Sequence, residues 1–262
     1  MNDLESMFKD MRQFTGLTVL GTMANGEQSV LSNRTLAQIK EDGEKIKNSI
    51  TEIVGTRKVR VGGFWYPFMN DVAQKNLGYG NEMTNILSHV KDWSVAIDGG
   101  SQVGRVANRL AEKFEKVIAI EISPDNFTCL RRNISSNVVP IHACLTNTRG
   151  GTFSPSPDKH PDSPVCRAVS CQPGAQGVVP SLTIDELALE SCGFIKLDLQ
   201  GFDYFALLGA EHTLRRFKPP VFFEHDPTCF TRYGVQQDDP GNFLKGLGYT
   251  LLEIDRDNQA WI

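Results

Sequence analysis

The stretch Ser94-Val95-Ala96-Ile97-Asp98-Gly99-Gly100-Ser101-Gln102-Val103-Gly104 decides the fold. Its first half is an apolar run that ends in an acidic residue, which is typical of a buried strand, and its second half leads into a helical pattern. Glycines after a strand allow the backbone to approach a ligand closely, and the start of the next helix offers free N–H groups. The stretch therefore predicts a strand, a turn and a helix, with a ligand bound at the turn.

The chain after this stretch repeats the alternation of strand and helix. Apolar runs of strand length are separated by helical patterns, as in a parallel sheet that helices cover on both faces. Strands are predicted from Ser94 to Asp98, Lys116 to Glu121, Val138 to Cys144, Phe194 to Leu199, Pro220 to Glu224 and Tyr249 to Ile254. Helices are predicted from Val103 to Phe114, Asp125 to Asn133, Tyr204 to Phe217 and Pro240 to Leu247. The sequence thus predicts an α/β domain over residues 78–262, built on a Rossmann-like, doubly wound and mostly parallel sheet.

A proline-rich insertion interrupts this pattern at residues 148–180. Of the chain's 13 prolines, it contains Pro155, Pro157, Pro161, Pro164, Pro173 and Pro180. So many prolines exclude a helix, and a connection of this length in a compact domain is usually a lid or a binding loop. Apolar alternation from Val165 to Cys171 predicts a short strand, so we expect a hairpin above the third and fourth strands.

Residues 1–77 have a different pattern and are predicted to form an N-terminal helical and aromatic extension that packs on the core. An apolar stripe recurs at helical spacing between Asn33 and Val54, and it consists of Leu36, Ile39, Ile46, Ile50 and Ile53. This helix is expected either to pack on the main domain or to form a homodimer interface through residues 33–54. The segment from Lys58 to Phe68 is predicted to be a strand followed by core aromatic residues.

Composition and charge exclude several classes of protein. The chain has 262 residues, of which 40% are hydrophobic and 22% are charged, as in ordinary globular proteins. A net charge of -4 provides no overall attraction for a phosphate backbone. No apolar run reaches the ~20 residues of a membrane span, and the N-terminus lacks the positive charge of a secretory signal. We therefore predict a cytoplasmic protein with no membrane partner and reduced cysteines.

Asp98 and Glu121, which end the first two predicted strands, indicate the ligand. A dinucleotide fingerprint requires Gly-x-Gly-x-x-Gly, but Ser101 stands at the middle glycine, where the backbone would meet a pyrophosphate. Asp98 would repel a pyrophosphate but attract an ammonium and a sulfonium group. Glu121 can accept hydrogen bonds from both hydroxyls of a ribose. The pair predicts S-adenosylmethionine as the ligand, with a dinucleotide or no ligand as the alternatives.

The segments around these acids resemble a known protein family. They are Val95-Ala96-Ile97-Asp98-Gly99-Gly100 with Gln102 and Gly104, Ala119-Ile120-Glu121-Ile122-Ser123-Pro124 with Leu130 and Asn133, Leu182-Thr183-Ile184-Asp185-Glu186-Leu187, and Ile195-Lys196-Leu197-Asp198-Leu199-Gln200-Gly201 with Leu208-Gly209-Ala210. From Gly78 to Ile254 the chain resembles the FkbM family of S-adenosylmethionine-dependent methyltransferases. This resemblance implies a sheet of the class I methyltransferase type and methyl transfer to a hydroxyl, often of a sugar or a polyketide-like compound.

The resemblance also extends to individual residues. Glu82 resembles a glutamate that the family tends to carry at this place. The chain departs from the family pattern at Gln200, where a glutamate is usual, and at Asp203, where a second glutamate is common. The predicted cofactor-binding residues are Glu82, Asp98, Gly99, Gly100, Gln102, Gly104, Glu121, Ile122 and Ala143.

The fourth and fifth predicted strands supply the candidate catalytic residues. If the strand order reverses between the first and fourth strands, Asp198 becomes a neighbour of the cofactor site. A sugar hydroxyl ionises near the value for water, ~15.7, so the base must take the proton as the new bond forms. The candidate base is His225 or Asp198, with Lys196 orienting a carboxylate and Glu224 or Glu82 binding the substrate hydroxyl.

Two other functions remain open at this stage. An RNA ribose 2′-O-methyltransferase would use Asp198, Glu224 and a lysine such as Lys196. Nucleic acid is nevertheless the less favoured partner, because the domain has only two short basic clusters, Arg131-Arg132 and Arg215-Arg216-Lys218. A non-catalytic interaction protein could retain the fold and use residues 33–54 as its interface. The favoured partner is a small molecule or glycan that carries a hydroxyl.

Metal binding is not predicted. His160, Cys166 and Cys171 are spaced more loosely than the ligands of structural zinc sites. A divalent cation that acidifies the substrate hydroxyl remains an alternative, and its ligands would be Asp198, Glu224 and Asp226.

Overall fold

The chain divides into two compact units, Met1–Leu77 and Gly78–Ile262. A computed structural model describes residues 83–157, 166–170, 179–254 and 258–262, with the shorter segments 17–22, 28–32, 52–54, 58–61 and 63–67. The first unit contains a five-stranded sheet, and the second contains a four-stranded and a seven-stranded sheet.

The described residues of the first unit form an antiparallel sheet in sequence order. Its strands are β1 (Leu17–Thr22), β2 (Gln28–Ser32), β3 (Glu52–Val54), β4 (Lys58–Val61) and β5 (Phe64–Tyr66). The predicted helix from Asn33 to Val54 lies outside the described residues except for its last three, and these are wrong as a helix end because they pair with β2 and β4. The expected strand and aromatic segment are confirmed, with Tyr66 buried.

The second unit alternates strands and helices. Its strands are β6 (Val95–Gly99), β7 (Lys116–Glu121), β8 (Val138–His142), β9 (Cys144–Leu145), β10 (Thr152–Pro157), β11 (Cys166–Ser170), β12 (Val179–Leu182), β13 (Phe194–Leu197), β14 (Val221–Glu224), β15 (Leu251–Ile254) and β16 (Asn258–Trp261). Its helices are α1 (Thr84–Leu87), α2 (Arg105–Ala111), α3 (Pro124–Asn133), α4 (Asp203–Leu208), α5 (Glu211–Phe217), α6 (Pro227–Phe230) and α7 (Asp239–Gly246).

The seven-stranded sheet has the order β15-β16-β14-β13-β6-β7-β8. The five strands from β14 to β8 pair in parallel, whereas β16 is antiparallel to both of its neighbours. The order reverses between β6 and β13, as expected, so the predicted Rossmann-like sheet is confirmed. Strand β16 was not predicted because its sequence, Asn-Gln-Ala-Trp, is half polar. Gln259 is nevertheless accommodated, since its Oε1 accepts a hydrogen bond from Trp261 Nε1 at 3.0 Å.

Apolar side chains cover both faces of this sheet. On one face Ile97, Ile195 and Phe223 pack in a cluster that also contains side chains of α4, α5 and α7. On the other face Ala96 and Phe222 pack in a cluster with side chains of α1, α2 and α3. Alternation along each strand divides these residues between the two faces, which is why the strands read as doubly apolar runs.

The predicted helix from Tyr204 to Phe217 is two helices, α4 and α5. The break falls at Gly209, where a Cβ would lie 2.1 Å from the carbonyl oxygen of Thr146. The Gly209 carbonyl accepts a hydrogen bond from Asp185 N–H at 3.0 Å, so it is used by a neighbouring segment. The chain thus breaks the helix to pack on the loop after β9.

The proline-rich insertion forms part of the four-stranded sheet, in the order β11-β10-β12-β9. Strands β10 and β11 pair antiparallel from Phe153 opposite Ser170 to Pro157 opposite Cys166, which confirms the expected hairpin. Strand β12 then pairs in parallel with β9, close to the end of β8. The hairpin is therefore connected through β12 to the part of the chain that follows the third strand of the predicted sheet.

The turn after β6 lies directly against the segment after β13. Gly100 has φ +72°, and a Cβ there would lie 1.9 Å from the carbonyl oxygen of Asp198. Gly104, with φ +91°, precedes α2, and its Cβ would lie 2.7 Å from the Leu130 side chain. We expected the glycines to allow close approach of a ligand. In the structure, these two glycines allow close approach of neighbouring protein segments.

Replacing Gly100 with alanine should destabilise the protein much more than the same change at Gly150. Both glycines have a similar positive φ, +72° and +69°, but a Cβ at Gly150 meets nothing within 4 Å. Gly150→Ala should therefore cost only the ~1–2 kcal/mol of a left-handed alanine. Gly100→Ala should cost roughly 3 kcal/mol or more, because two backbone segments must separate. Urea unfolding of both variants measures the difference, and equal losses would show that the close approach contributes nothing.

Candidate active site

The carboxyl ends of β6, β7, β13 and β14 bring the predicted acids to one rim of the sheet. In the ladder Asp98 is opposite Lys196, and Lys196 is opposite Phe222, two residues before Glu224. Since side chains alternate, Asp98, Lys196 and Glu224 share one face of the sheet. Asp198 follows β13 on the same face, and its N–H donates to the Gly99 carbonyl at 3.1 Å. This arrangement agrees with the sequence prediction for the first and fourth strands.

Lys196 and Asp98 form a buried ion pair. Their Nζ and Oδ1 atoms are 3.2 Å apart, and the two side chains are 3% and 0% exposed. Lys196 Nζ also donates to the carbonyl oxygens of Gly99 and Gly100, and it lies 3.9 Å from Asp198 Oδ2. Burial alone would lower the pKa of Lys196, but the charges of Asp98 and Asp198 outweigh burial and raise it. The lysine therefore stays protonated and holds the glycine turn in place.

Glu121 ends β7 and is 5% exposed. Its two carboxylate oxygens accept hydrogen bonds from the backbone N–H groups of Gln102 and Ser123, each at 2.8 Å. Burial raises its pKa to about 7, although these two N–H donors oppose the rise. Glu121 is thus buried although it stands at the end of a strand. Glu121 fixes the turn after β6 from the side of β7.

Ile122 and Ala143 lie at the same edge of the sheet. Ile122 follows Glu121, and its carbonyl accepts a hydrogen bond from His142 Nε2 at 3.0 Å. Ala143 is buried, and its N–H donates to the Glu121 carbonyl at 3.3 Å. The structure thus brings together the predicted cofactor residues that it describes, while Glu82 lies outside the described residues.

Gln200 joins two candidate catalytic carboxyl groups. Its side-chain Nε2 lies 3.2 Å from Asp198 Oδ1 and 3.1 and 3.0 Å from the two carboxyl oxygens of Glu224. Gln200 itself has φ +56°. Burial and the neighbouring charges of Asp198 and Asp203 raise the pKa of Glu224 to about 10. At neutral pH Glu224 is therefore protonated and can donate a hydrogen bond.

Asp203 was not among the predicted site residues. It is the first residue of α4, it is fully buried, and its oxygens accept hydrogen bonds from the N–H groups of Leu199 and Gly201 at 3.1 Å each. Burial and the charge of Asp198 raise its pKa to about 7. In the sequence, Asp203 stands where the family commonly has a glutamate, and the two side chains differ by one methylene group. This small difference gave no indication that Asp203 holds the turn on both sides of Gln200.

His225 is separated from the other candidate catalytic residues. It follows Glu224, so its side chain lies on the opposite face of the sheet, where it packs edge-on against Phe223 and Phe230. Its Nε2 donates to the carbonyl of Gln237 at 3.0 Å. The structure therefore brings Lys196, Asp198 and Glu224 together but not His225.

An aromatic cluster lies next to the rim, on the side of the hairpin. Phe202 packs edge-on against Phe153 of β10 and Tyr233, with ring centroids 5.6 and 4.9 Å apart. Tyr233 also donates its hydroxyl to the carbonyl of Ala168 in β11 at 3.0 Å. Ile122 and Leu199, which follow Glu121 and Asp198, pack against this cluster. The hairpin thus places apolar groups beside the acidic rim.

The side chains considered as alternative metal ligands are not assembled within the part of the chain that the structure describes. There, no group of three or more His, Cys, Asp or Glu side chains is arranged to hold a metal ion. Asp226 accepts hydrogen bonds from the N–H and hydroxyl of Thr228 and so caps α6. His160 and Cys171 lie outside the described residues. Among the described helices, none has the length and apolar character to cross a bilayer.

The described residues thus form a Rossmann-like α/β domain with buried acidic side chains at the carboxyl ends of its parallel strands. The family of methyltransferase FkbM domains matches residues 98–251, which is more than half of the chain. The chain therefore belongs to the FkbM methyltransferase family, and its cofactor is S-adenosylmethionine.

Several solved structures resemble this chain at low sequence identity. Methyltransferase FkbM from Methylobacillus flagellatus is 17% identical with a TM-score of 0.43, over 72% of this chain and 52% of that chain. A TehB-like SAM-dependent methyltransferase from Corynebacterium glutamicum is 10% identical with a TM-score of 0.44, over 73% and 90%. A Streptococcus mutans protein in complex with SAH is 16% identical with a TM-score of 0.42, over 68% and 93%. The chain spans about half of the Methylobacillus protein, and no curated protein matches it.

The residues at the rim fit a cationic nucleoside. Neither carboxylate oxygen of Asp98 has a hydrogen-bond donor in good geometry within the described residues, although Lys196 is nearby. Four buried or half-buried carboxyl groups, those of Asp98, Asp198, Asp203 and Glu224, surround the one lysine. An ammonium and a sulfonium group would compensate this excess of acid, whereas a pyrophosphate would increase it.

The ligand-free protein should lose stability as the pH rises through the neutral range. Glu224 has a folded-state pKa of about 10, above the 4.5 of a free glutamate, so the folded state holds a proton that the unfolded state releases. Between these values the penalty grows by up to roughly 1.4 kcal/mol per pH unit. Glu224→Gln should therefore stabilise the protein more at about pH 8 than at about pH 5, as measured by urea unfolding.

A matched control uses an exposed glutamate. Glu211→Gln removes a surface pair with Arg215 and should change stability equally little at both pH values. If Glu224→Gln shows the same flat response, burial does not hold a proton on Glu224.

Proposed function

We propose that this protein transfers the methyl group of S-adenosylmethionine to a hydroxyl of a sugar, glycan or small metabolite. The main support is the grouping of Asp198, Glu224 and Lys196 beside Asp98 at one rim of the sheet. When bound, the cofactor supplies an electrophilic methyl group on a sulfonium. The chain must then bind the cofactor, orient the acceptor and remove its proton.

Cofactor binding is assigned to the ends of β6 and β7. Asp98 would face the ammonium group, since its oxygens are buried and lack a well-aligned donor. Glu121 would accept the ribose hydroxyls, because its Oε2 takes the hydrogen bond of Gln102 N–H and has a further lone pair, while Oε1 takes those of Ser123 N–H and the Asn126 amide. Lys196 keeps the Gly99–Gly100 carbonyls and Asp98 in place. These contacts position the cofactor against the rim.

Proton removal is assigned to Asp198. Glu224 holds its own proton at neutral pH because its pKa is about 10, so it cannot act as a base but can donate a hydrogen bond to the acceptor oxygen. His225 lies on the other face of the sheet and is bonded to a backbone carbonyl. Asp198 remains as a half-buried carboxylate on the correct face, held by Gln200 and near Lys196. It would accept the proton as the carbon–oxygen bond forms.

Exclusion of water is assigned to the hairpin and its aromatic cluster. Phe153, Phe202 and Tyr233 are linked to β11 and lie beside Ile122 and Leu199. A dry site favours the reaction of a sulfonium with a developing alkoxide, because charge disappears as the methyl group is transferred. The proline-rich insertion would thus cover the reacting groups.

The RNA alternative is less well supported. Arg215 is paired with Glu211 at 2.8 Å, and Lys218 donates to the carbonyl of Leu247. Arg216 lies over the ring of Phe217. These cations of α5 are engaged within the domain, so this cluster gives no support for binding to a phosphate backbone.

Glu121→Gln should weaken the binding of S-adenosylhomocysteine by roughly tenfold or more, because a charged hydrogen bond contributes ~1.5–3 kcal/mol. Calorimetry measures the affinity, with Glu211→Gln as the control that should bind normally. An analogue without ribose hydroxyls separates direct contact from a disturbed turn. The parent should bind it more weakly than S-adenosylhomocysteine, and Glu121→Gln should not discriminate. Equal discrimination by both proteins would rule out the ribose contact.

Asp198→Asn should lower the turnover of methyl transfer by roughly 10²- to 10⁴-fold while S-adenosylhomocysteine affinity changes little. Transfer of a labelled methyl group to separate pools of glycans, metabolites and RNA identifies the acceptor class. His225→Asn is the matched comparison and should retain most of the activity. If His225→Asn is the inactive variant instead, the base is His225, and labelling of the RNA pool alone would replace the proposed acceptor.

A further inference from the structure

The turn after β13 connects a fully buried acid with the catalytic carboxyl groups. It consists of Leu199, Gln200 and Gly201. Asp203 accepts one hydrogen bond from the N–H before Gln200 and one from the N–H after it, both at 3.1 Å. Gln200 in turn donates its amide to Asp198 and Glu224 at 3.0–3.2 Å. The contacts form a continuous path from Asp203 to the proposed base.

The backbone of this turn is in a conformation that needs support. Gln200 has φ +56° and Gly201 has φ +94°. The left-handed region costs a non-glycine residue of the order of 1–2 kcal/mol, so Gln200 adopts it only where other contacts compensate. A Cβ at Gly201 would lie 2.4 Å from the carbonyl oxygen of Cys229, so the turn is also confined from the side of α6. The two bonds to Asp203 hold the peptide groups on either side of Gln200, together with the backbone bond from Phe202 N–H to the Leu199 carbonyl at 3.2 Å.

We infer that Asp203 is a positioning residue of the active site: it holds the Leu199–Gly201 turn so that the Gln200 amide keeps Asp198 and Glu224 together. The inference rests on the proposed function in taking Asp198 as the base. Gln200 is suited to this task because a glutamate there would place a third carboxylate against two others. Gln200 and Asp203 therefore work as one unit.

The function of this unit is to set the geometry of the carboxyl pair. The charged and titratable groups that act on Glu224 are Asp198, Asp203, Lys196 and Asp226. An amide that donates to both carboxyl groups fixes their separation without adding charge. Without the turn, Asp198 would lose the hydrogen bond from the Gln200 amide at 3.2 Å, while Lys196 lies 3.9 Å from its other oxygen.

The first test needs neither cofactor nor acceptor, so it is independent of the proposed function. By NMR, the Gln200 side-chain amide of the unsubstituted protein should exchange with solvent at least ~10-fold more slowly than that of exposed Gln236. Asp203→Asn should remove most of this protection, because one N–H of the turn then faces an amide NH₂. Glu211→Gln should leave it unchanged. Protection that persists in Asp203→Asn, or its absence in the unsubstituted protein, would overturn the inference.

A second measurement applies if Asp203→Asn does not fold. In the unsubstituted protein, the backbone N–H signals of Leu199 and Gly201 should shift as the Asp203 carboxyl titrates. The Gln200 side-chain amide signal should shift with the same midpoint, because the turn transmits the change. Backbone signals that titrate while the Gln200 amide stays still would show that Asp203 supports the fold alone.

Catalysis provides the final test. Gln200→Met, which removes the amide without adding charge, and Asp203→Asn should each lower turnover by roughly tenfold or more, and the double variant should be no slower than the worse single one. Affinity for S-adenosylhomocysteine should stay within about twofold in all three, since the cofactor contacts are elsewhere. Additive losses would show that Asp203 does not act through Gln200.

Discussion

The contact between the turn after β6 and the segment after β13 is the constraint on which the active site depends. Gly100 and the carbonyl of Asp198 approach so closely that no side chain fits between them. Lys196 lies next to this contact, where it forms an ion pair with Asp98 and donates hydrogen bonds to the carbonyls of Gly99 and Gly100. Because β6 and β13 are parallel and Asp98 lies opposite Lys196, Asp98 and the proposed base Asp198 lie at one rim of the sheet.

The buried ion pair has a cost and a function. Removing Lys196 and Asp98 from water is unfavourable, and replacing one partner alone would leave an uncompensated charge inside the protein. The charge of Lys196 nevertheless does not neutralise the acidic groups of the rim, because the carboxyl groups of Asp198, Asp203 and Glu224 lie there as well. Burial, together with the neighbouring carboxyl groups, raises the pKa values of Asp203 and Glu224. S-adenosylmethionine, the cofactor of the FkbM methyltransferases, carries positive charge that would offset this excess of acid.

The strand ends of the active site were predictable and the turn contacts were not. Asp98, Glu121 and Asp198 terminate apolar runs, and parallel strands must present their carboxyl ends at one edge. The same argument placed His225 at the rim. Neighbouring residues of a strand point to opposite faces, and Glu224 lies on the same face as Asp98 and Lys196, so His225 lies on the other face. Asp203 and Gln200 act through a left-handed turn whose conformation depends on packing against Cys229, which is distant in the sequence.

The sequence by itself determined the fold class, the seven-stranded sheet except β16, and the acids at its carboxyl edge, because periodicity and strand endings are local properties of the chain. Only the tertiary structure decided which acids are protonated, which carboxyl groups are paired, and where the hairpin lies. Burial and neighbouring charge set a pKa, and both arise when segments such as β7, β13 and α4 come together. Glu121 shows the difference: its position at a strand end follows from the sequence, whereas its burial follows from Gln102 and Ser123 folding over it.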